Sequence, residues 1–151
     1  MLKRLVFIFV VSSIIASGLF CSQKTNIVNA VGKSDATVHI YCKQYNGLNV
    51  ANGAGVVKTT AANFYKCLQN AIGVDGVTVV IDRNSVDMVT LVEKLQLSNV
   101  KTQHTQDFYC IYGYSDKVRG CVVVDGQRIN VQIALTPTQI HVGSPLLLGS
   151  Y

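Results

Sequence analysis

The chain predicts an α+β fold: an antiparallel-dominated sheet of about six strands, with two helices packed on one face, in the order β-α-β-α-β-β-β-β. Three observations carry the expectation. Two amphipathic helical stretches each follow a strand-like run. Everything after Val100 alternates with a period near two. The strands gathered after the helices favour antiparallel pairing over a parallel crossover sheet.

The first element is an export segment. Lys3 and Arg4 precede the apolar run Leu5 to Cys21, the pattern of a secretory signal. Its 17 residues exceed a signal core of about 7–15 and only reach the lower limit of a membrane span, about 17–25. Ser12, Ser13 and Ser17 interrupt the run, which favours cleavage over a retained anchor. Two sites satisfy the small-residue rule, Ala16-Ser17-Gly18 and Val28-Asn29-Ala30. Phe20 stands where lipid attachment at Cys21 would need a small residue, so a lipid anchor is not expected. The remainder is expected outside the cytoplasm, secreted or anchored to the outer face of the cell membrane. An uncleaved N-terminal segment would be its membrane contact.

Residues 22–35 are polar and aperiodic and read as a linker between the 1–21 segment and one domain over 36–151. In that domain Val38, Ile40 and Cys42 alternate with more polar neighbours and predict a strand. Residues 44–59, with Asn46-Gly47 and Gly53-Ala54-Gly55, predict a loop or irregular hairpin. A helix is expected over about 61–72, with Thr60 as N-cap, Phe64, Leu68 and Ile72 as its stripe, and Gly73 at its end. Val77–Ile81 reads as a central strand. Asn84 or Ser85 is expected to cap a helix over about 86–96, with Met88, Val92 and Leu95 on one face.

One strand is then expected to run from Val100 to about Tyr114. Cys121–Val124 reaches Asp125-Gly126, a strong hairpin signal. Arg128–Leu135 places Ile129, Val131, Ile133 and Leu135 inward and Asn130 and Gln132 outward. Gln139–Val142 closes the sheet.

Composition sets limits on function. Hydrophobic residues make up 49% and charged residues 14%, which suits a packed domain rather than disorder. Net charge is +5, and the basic residues are scattered. Nucleic-acid binding needs a concentrated basic face, so no nucleic-acid partner is expected. No cofactor and no metal site are expected, since no Gly-Lys-Ser/Thr phosphate loop, no C-x-x-C and no H-x-x-x-H occurs.

Export makes disulfides chemically possible. Cys42, Cys67, Cys110 and Cys121 allow three pairings. A hairpin turning around Ser115-Asp116 would place Cys110 opposite Cys121 and leave Cys42 with Cys67. The alternative is four buried thiols. His39 and His141 alternate with apolar residues and should lie on the polar sheet face. Tyr109, in the cluster Phe108, Tyr109, Tyr112 and Tyr114, joins them as a possible binding surface. No local signature assembles a nucleophile, base and orienting acid, so no catalytic residue is assigned.

The helix segment Leu91-Val92-Glu93-Lys94-Leu95, the strand Tyr112-Gly113-Tyr114-Ser115 and the tail Gly143-Ser144-Pro145-Leu146-Leu147-Leu148-Gly149-Ser150-Tyr151 resemble secreted proteins of Gram-positive, clostridia-type bacteria, among them the YwmB family. The resemblance implies a fold likened to the TATA-box-binding protein. It implies no DNA binding and brings no functional residue, because the family has no established activity. The expected function is a non-enzymatic binding or interaction module of the envelope, with an unknown envelope protein or polymer as partner. The rival is a small hydrolase of envelope polymers using a Cys or Asp with His104 or His141.

Overall fold

Alternation in residues 37–45 places Val38, Ile40 and Cys42 on one side of strand β1 (Thr37–Tyr45), and all three are buried. The computed structural model describes residues 25–49, 55–104 and 108–148. Around β1 stand β2 (Leu48–Asn49), β3 (Val56–Thr60), β4 (Ala71–Asp82), β5 (Ser98–His104), β6 (Tyr109–Tyr114), β9 (Val131–Leu135) and β10 (Gln139–Ser144). They form one eight-stranded sheet in the order β2-β1-β4-β10-β9-β6-β5, with β3 also paired to β1. Every pairing in it is antiparallel. A separate hairpin joins β7 (Val122–Val124) to β8 (Gln127–Ile129). Its turn is Asp125-Gly126, both with positive φ, as a two-residue hairpin loop requires.

Among the described residues three short helices supply the covering layer: α1 (Ile27–Val31), α2 (Phe64–Leu68) and α3 (Met88–Leu95). Their buried residues Ile27, Val28, Val31, Phe64, Leu91 and Leu95 form one core with Val38, Ile40, Val79, Ile81, Ile111, Ile133, Ile140 and Val142 of the sheet. The expected α+β class and the antiparallel sheet therefore hold, with more strands than expected.

The segment expected as a linker contains α1. Asn26 caps the helix by accepting from Asn29 N–H, and Gly32 ends it in the left-handed region. Ile27 and Val28 are 2% and 5% exposed, a burial contributing about 1.5–3 kcal/mol per side chain. Thr25 bridges in parallel to Val118, so the fold begins ahead of the helix. A five-residue helix is too short for an amphipathic period to show, which is why the polar surroundings read as linker.

The helix expected over 61–72 is a 3-10 turn at Ala61–Asn63 followed by α2. Asn70 ends it by donating its side-chain amide to Lys66 O, while its own carbonyl accepts from Asn46 N–H. Residues from Ala71 onward then pair with Tyr45 and Gln44 of β1, and Ile72 is exposed. The second helix starts later than expected. Asp82 accepts from Asn84 N–H and makes a 3-10 turn of Arg83–Ser85, and Asp87 becomes the cap of α3 through Thr90 N–H. Lysines finish two helices. Lys94 Nζ donates to Val31 O at 2.7 Å and Lys117 Nζ to Lys94 O at 2.9 Å, placing cations where the helix dipole is negative.

The strand expected from Val100 to Tyr114 is the antiparallel pair β5 and β6. Residues 105–107 between them lie outside the described residues. After Tyr114 the chain leaves the sheet in a loop that Asn130 holds. Asn130 is fully buried; its Nδ2 donates to Ser115 O and Val118 O, and its Oδ1 accepts from Ser115 N–H. Asn130 and Gln132 were expected to face outward, yet both are buried, Asn130 against the 115–118 loop and Gln132 against the 145–148 segment.

Candidate functional site

The face of the sheet opposite the helices gathers the side chains that can bind. In register, one transverse row reads Lys58, His39, Thr78, Gly143, Gln132, Tyr112, Lys101. It crosses seven strands, about 29 Å at the usual strand spacing. The neighbouring row reads Thr60, Thr37, Val80, His141, Ala134, Cys110, Gln103. Directly opposed residues on neighbouring strands share a face, so His39 and His141 lie together there, with β4 between them.

Both imidazoles are half-buried. Burial, and then the nearby Lys58 ammonium, hold His39 below its ordinary value of 6.5. Burial, and then His39 itself, do the same for His141. At neutral pH each ring is therefore neutral, with one N–H donor and one lone pair. Between them in the ladder sits Thr78, 2% exposed, whose Oγ1 has no hydrogen-bond partner among the described residues.

The centre of the face is covered by the segment 145–148. Gly143 and Gly76 are its seats. A Cβ at Gly143 would stand 2.7 Å from Leu147 N, and one at Gly76 would stand 2.8 Å from Leu148 Cδ1. Leu147 N–H donates to Gln132 Oε1 at 3.0 Å, and Gln132 Nε2 donates to Cys110 Sγ at 3.7 Å. Two flanks stay accessible. On one, Lys58 is exposed beside His39; on the other, Lys101 and Gln103 are exposed beside Tyr112. Tyr112 OH donates to Gln103 Oε1 at 3.0 Å, and burial, with Cys110 nearby, raises its phenol.

Tyr109 was expected on the same surface as the histidines, and the register separates them. It lies with Ile111 on the helix side, 37% exposed, opposite His104 across the β5–β6 ladder. Their ring centroids are 6.1 Å apart. His104 therefore also lies on the other face from His141.

Cys42, Cys67, Cys110 and Cys121 form no disulfide with one another. Cys110 does not oppose Cys121. Its ladder partners are Gln103 and Ala134, because β6 pairs with β5 and β9 while β7 pairs with β8. Cys121 is exposed, with Arg128 Nε donating to its sulfur at 3.4 Å. The Arg128 guanidinium also lies over the Tyr114 ring at 4.9 Å. Cys42 is buried, which pushes its thiol up, with Asp75 adding to the effect. Cys67 on α2 donates to Thr59 Oγ1 at 3.3 Å and hydrogen-bonds Tyr45, raising that phenol.

Among the described residues no group of three or more His, Cys, Asp or Glu is placed to hold a metal ion. None of their helices is long and apolar enough to cross a membrane. A cavity of about 230 Å³ opens where β1 begins and β4 ends, lined by Asp35, Thr37, Asp82, Ser85 and Gln139. Asp82 and Ser85 are already engaged in the turn there. Sequence reasoning missed Lys58, Thr78, Gln132 and Gly143 as site residues. Thr78 carries a faint signal, being the polar residue inside the apolar run Val77–Ile81. No protein-family model, curated protein or solved structure matches the chain.

Proposed function

We propose that this protein is an exported, non-enzymatic binding module of the bacterial envelope, and that it takes an extended polar polymer along the face opposite its helices. The observation that carries the reading is the pair of accessible flanks on that face, Lys58 beside His39 and Lys101 and Gln103 beside Tyr112, on either side of the centre that 145–148 covers. Each flank sets a lysine beside neutral hydrogen-bonding side chains, and neither row contains a carboxylate there. Such flanks suit a ligand that repeats hydroxyl or anionic groups along its length, because they offer hydrogen-bonding groups and an ammonium at both ends of the face. The basic start and apolar run of residues 3–21 support a ligand outside the cytoplasm. The hydrolase reading is less well supported. Cys110, the thiol that shares a row with His141, is 0% exposed, and a nucleophile must meet its substrate.

Co-sedimentation of the purified chain with insoluble cell-wall polymer tests the reading. Binding is expected and should weaken with added salt. It should fall in Lys58→Ala/Lys101→Ala and stay unchanged in Val89→Ser, on the exposed side of α3. Equal binding by the two variants, or no binding by the natural chain, would refute it.

A further inference from the structure

Strand β5 (Ser98–His104) ends the large sheet. It pairs with β6, and among the described residues no strand pairs with its outer edge. All of its side chains, Ser98 to His104, are exposed. Such an edge presents a row of main-chain N–H and C=O groups to any further strand. Lys101 is the sole Lys, Arg, Asp or Glu within it, the kind of side chain that blunts an edge against indiscriminate pairing.

The edge fits a second copy of itself in one register. A twofold axis normal to the sheet pairs β5 with β5 antiparallel and keeps like faces together, so the axis must pass through a residue. An axis at Lys101 would set two ammonium groups directly opposite each other, which is destabilising. An axis at Val100 would draw in Asn99, which has a φ of 52° and sits in the register shift between Ser98 and Lys101. An axis at Gln103 would leave only Thr102 to His104 of the strand to pair. An axis at Thr102 sets Thr102 against Thr102, Lys101 against the neutral amide of Gln103, and Val100 against His104. Val100 is 47% exposed, and the ring of Tyr109, 37% exposed, lies 6.1 Å from that of His104. This register therefore covers an exposed aliphatic side chain with an aromatic pair. The other edge of the sheet does not suit: β3 (Val56–Thr60) is centred on Lys58, so its longest self-pairing opposes two lysines.

We propose that this protein forms a twofold dimer by pairing β5 with β5 in the register centred on Thr102. The two sheets become one, with both polar faces on the same side. The flank Lys101, Gln103 and Tyr112 of one copy then adjoins the same flank of the second copy, with the Lys101 Cα atoms about 8 Å apart at the usual strand spacing and rise. The Val100–His104 ladder is short of a standard interface, so the dimer is weak and concentration-dependent. It needs no ligand, which makes its failure distinguishable from that of the binding reading.

Sedimentation velocity of the purified chain over a concentration series, without polymer, tests the dimer. Reversible dimerisation is expected. It should tighten in Gln103→Glu, because a carboxylate there faces Lys101 of the second copy and still accepts from Tyr112 OH. It should weaken in Gln103→Lys, each change amounting to roughly 2- to 30-fold for the two equivalent pairs. Position 103 is exposed, and circular dichroism checks that both variants fold. In a Cys121→Ser background, Thr102→Cys should form a disulfide-linked dimer on oxidation, while Lys101→Cys should not. A chain that stays monomeric at every concentration overturns the proposal, including one that instead pairs this edge with a different envelope protein. A dimer indifferent to both Gln103 substitutions, with no cross-link at position 102, overturns it by placing the contact elsewhere.

Discussion

Replacing Asn130 by alanine tests the packing that shapes this sheet. The side chain is 0% exposed and makes three hydrogen bonds to main chain. It donates to Ser115 O at 2.8 Å and Val118 O at 2.8 Å, and accepts from Ser115 N–H at 2.7 Å. The loop it holds carries the buried Val118, which anchors Thr25 in turn. Each hydrogen bond contributes about 1 kcal/mol net, and a buried polar group left unpaired costs about 1–3 kcal/mol. The Ser115 N–H loses its partner outright, and the two carbonyls lose one each. Because neighbouring losses overlap, the expected total is about 3–5 kcal/mol. That is a large part of an ordinary domain stability of about 5–15 kcal/mol. At about 4 °C per kcal/mol for a domain of this size, the melting temperature should fall by roughly 12–20 °C. Urea denaturation followed by far-ultraviolet circular dichroism measures the loss, with Val89→Ser as a surface control. A loss below about 1 kcal/mol, the value of one ordinary hydrogen bond, would refute the view of Asn130 as the latch of the 115–118 loop.

Three further outcomes are expected. Gly143→Ala puts a Cβ 2.7 Å from Leu147 N, so it should cost about 1–3 kcal/mol and release the 145–148 segment, read as faster hydrogen exchange at Leu147; unchanged exchange would count against the seat. Stability should fall as pH drops below about 6.5, because the unfolded histidines take protons that the native His39 and His141 resist. It should be fully present above that pH, and His39→Gln/His141→Gln should flatten the profile in urea titrations; an unchanged slope in the double variant would contradict this. In a maleimide time course the exposed Cys121 should label in the native protein, while Cys42 and Cys110 wait for unfolding; early labelling of Cys110 would show that the polar face opens readily.

Sequence periodicity located β1, the β7–β8 turn and the inward set Ile129, Val131 and Ile133, because each obeys a local rule of alternation or turn chemistry. It failed where tertiary partners decided the outcome. The stripe Phe64, Leu68, Ile72 satisfies a helix, yet the ladder to Tyr45 and Gln44 draws residues after Ala71 into β4. Asn130 and Gln132 looked like the wet side of a strand, and both became buried latches for segments distant in sequence. The histidines were placed correctly on the polar face by alternation alone. Tyr109 lies on the helix side because alternation puts it on the face of Ile111, which packs into the core, while Cys110 and Tyr112 take the opposite face. The rows that make up the candidate site could not be read from the chain, because they depend on the register of strands far apart in sequence.

The central claim is that the face opposite the helices is the binding surface. Amide chemical-shift mapping of the isotope-labelled protein during titration with solubilised cell-wall polymer tests it most directly. Shifts are expected to cluster at the two accessible flanks, Lys58 and His39 on one and Lys101, Gln103 and Tyr112 on the other, with α1, α2 and α3 unmoved. Shifts confined to the helices, or none at polymer saturation, would contradict the account.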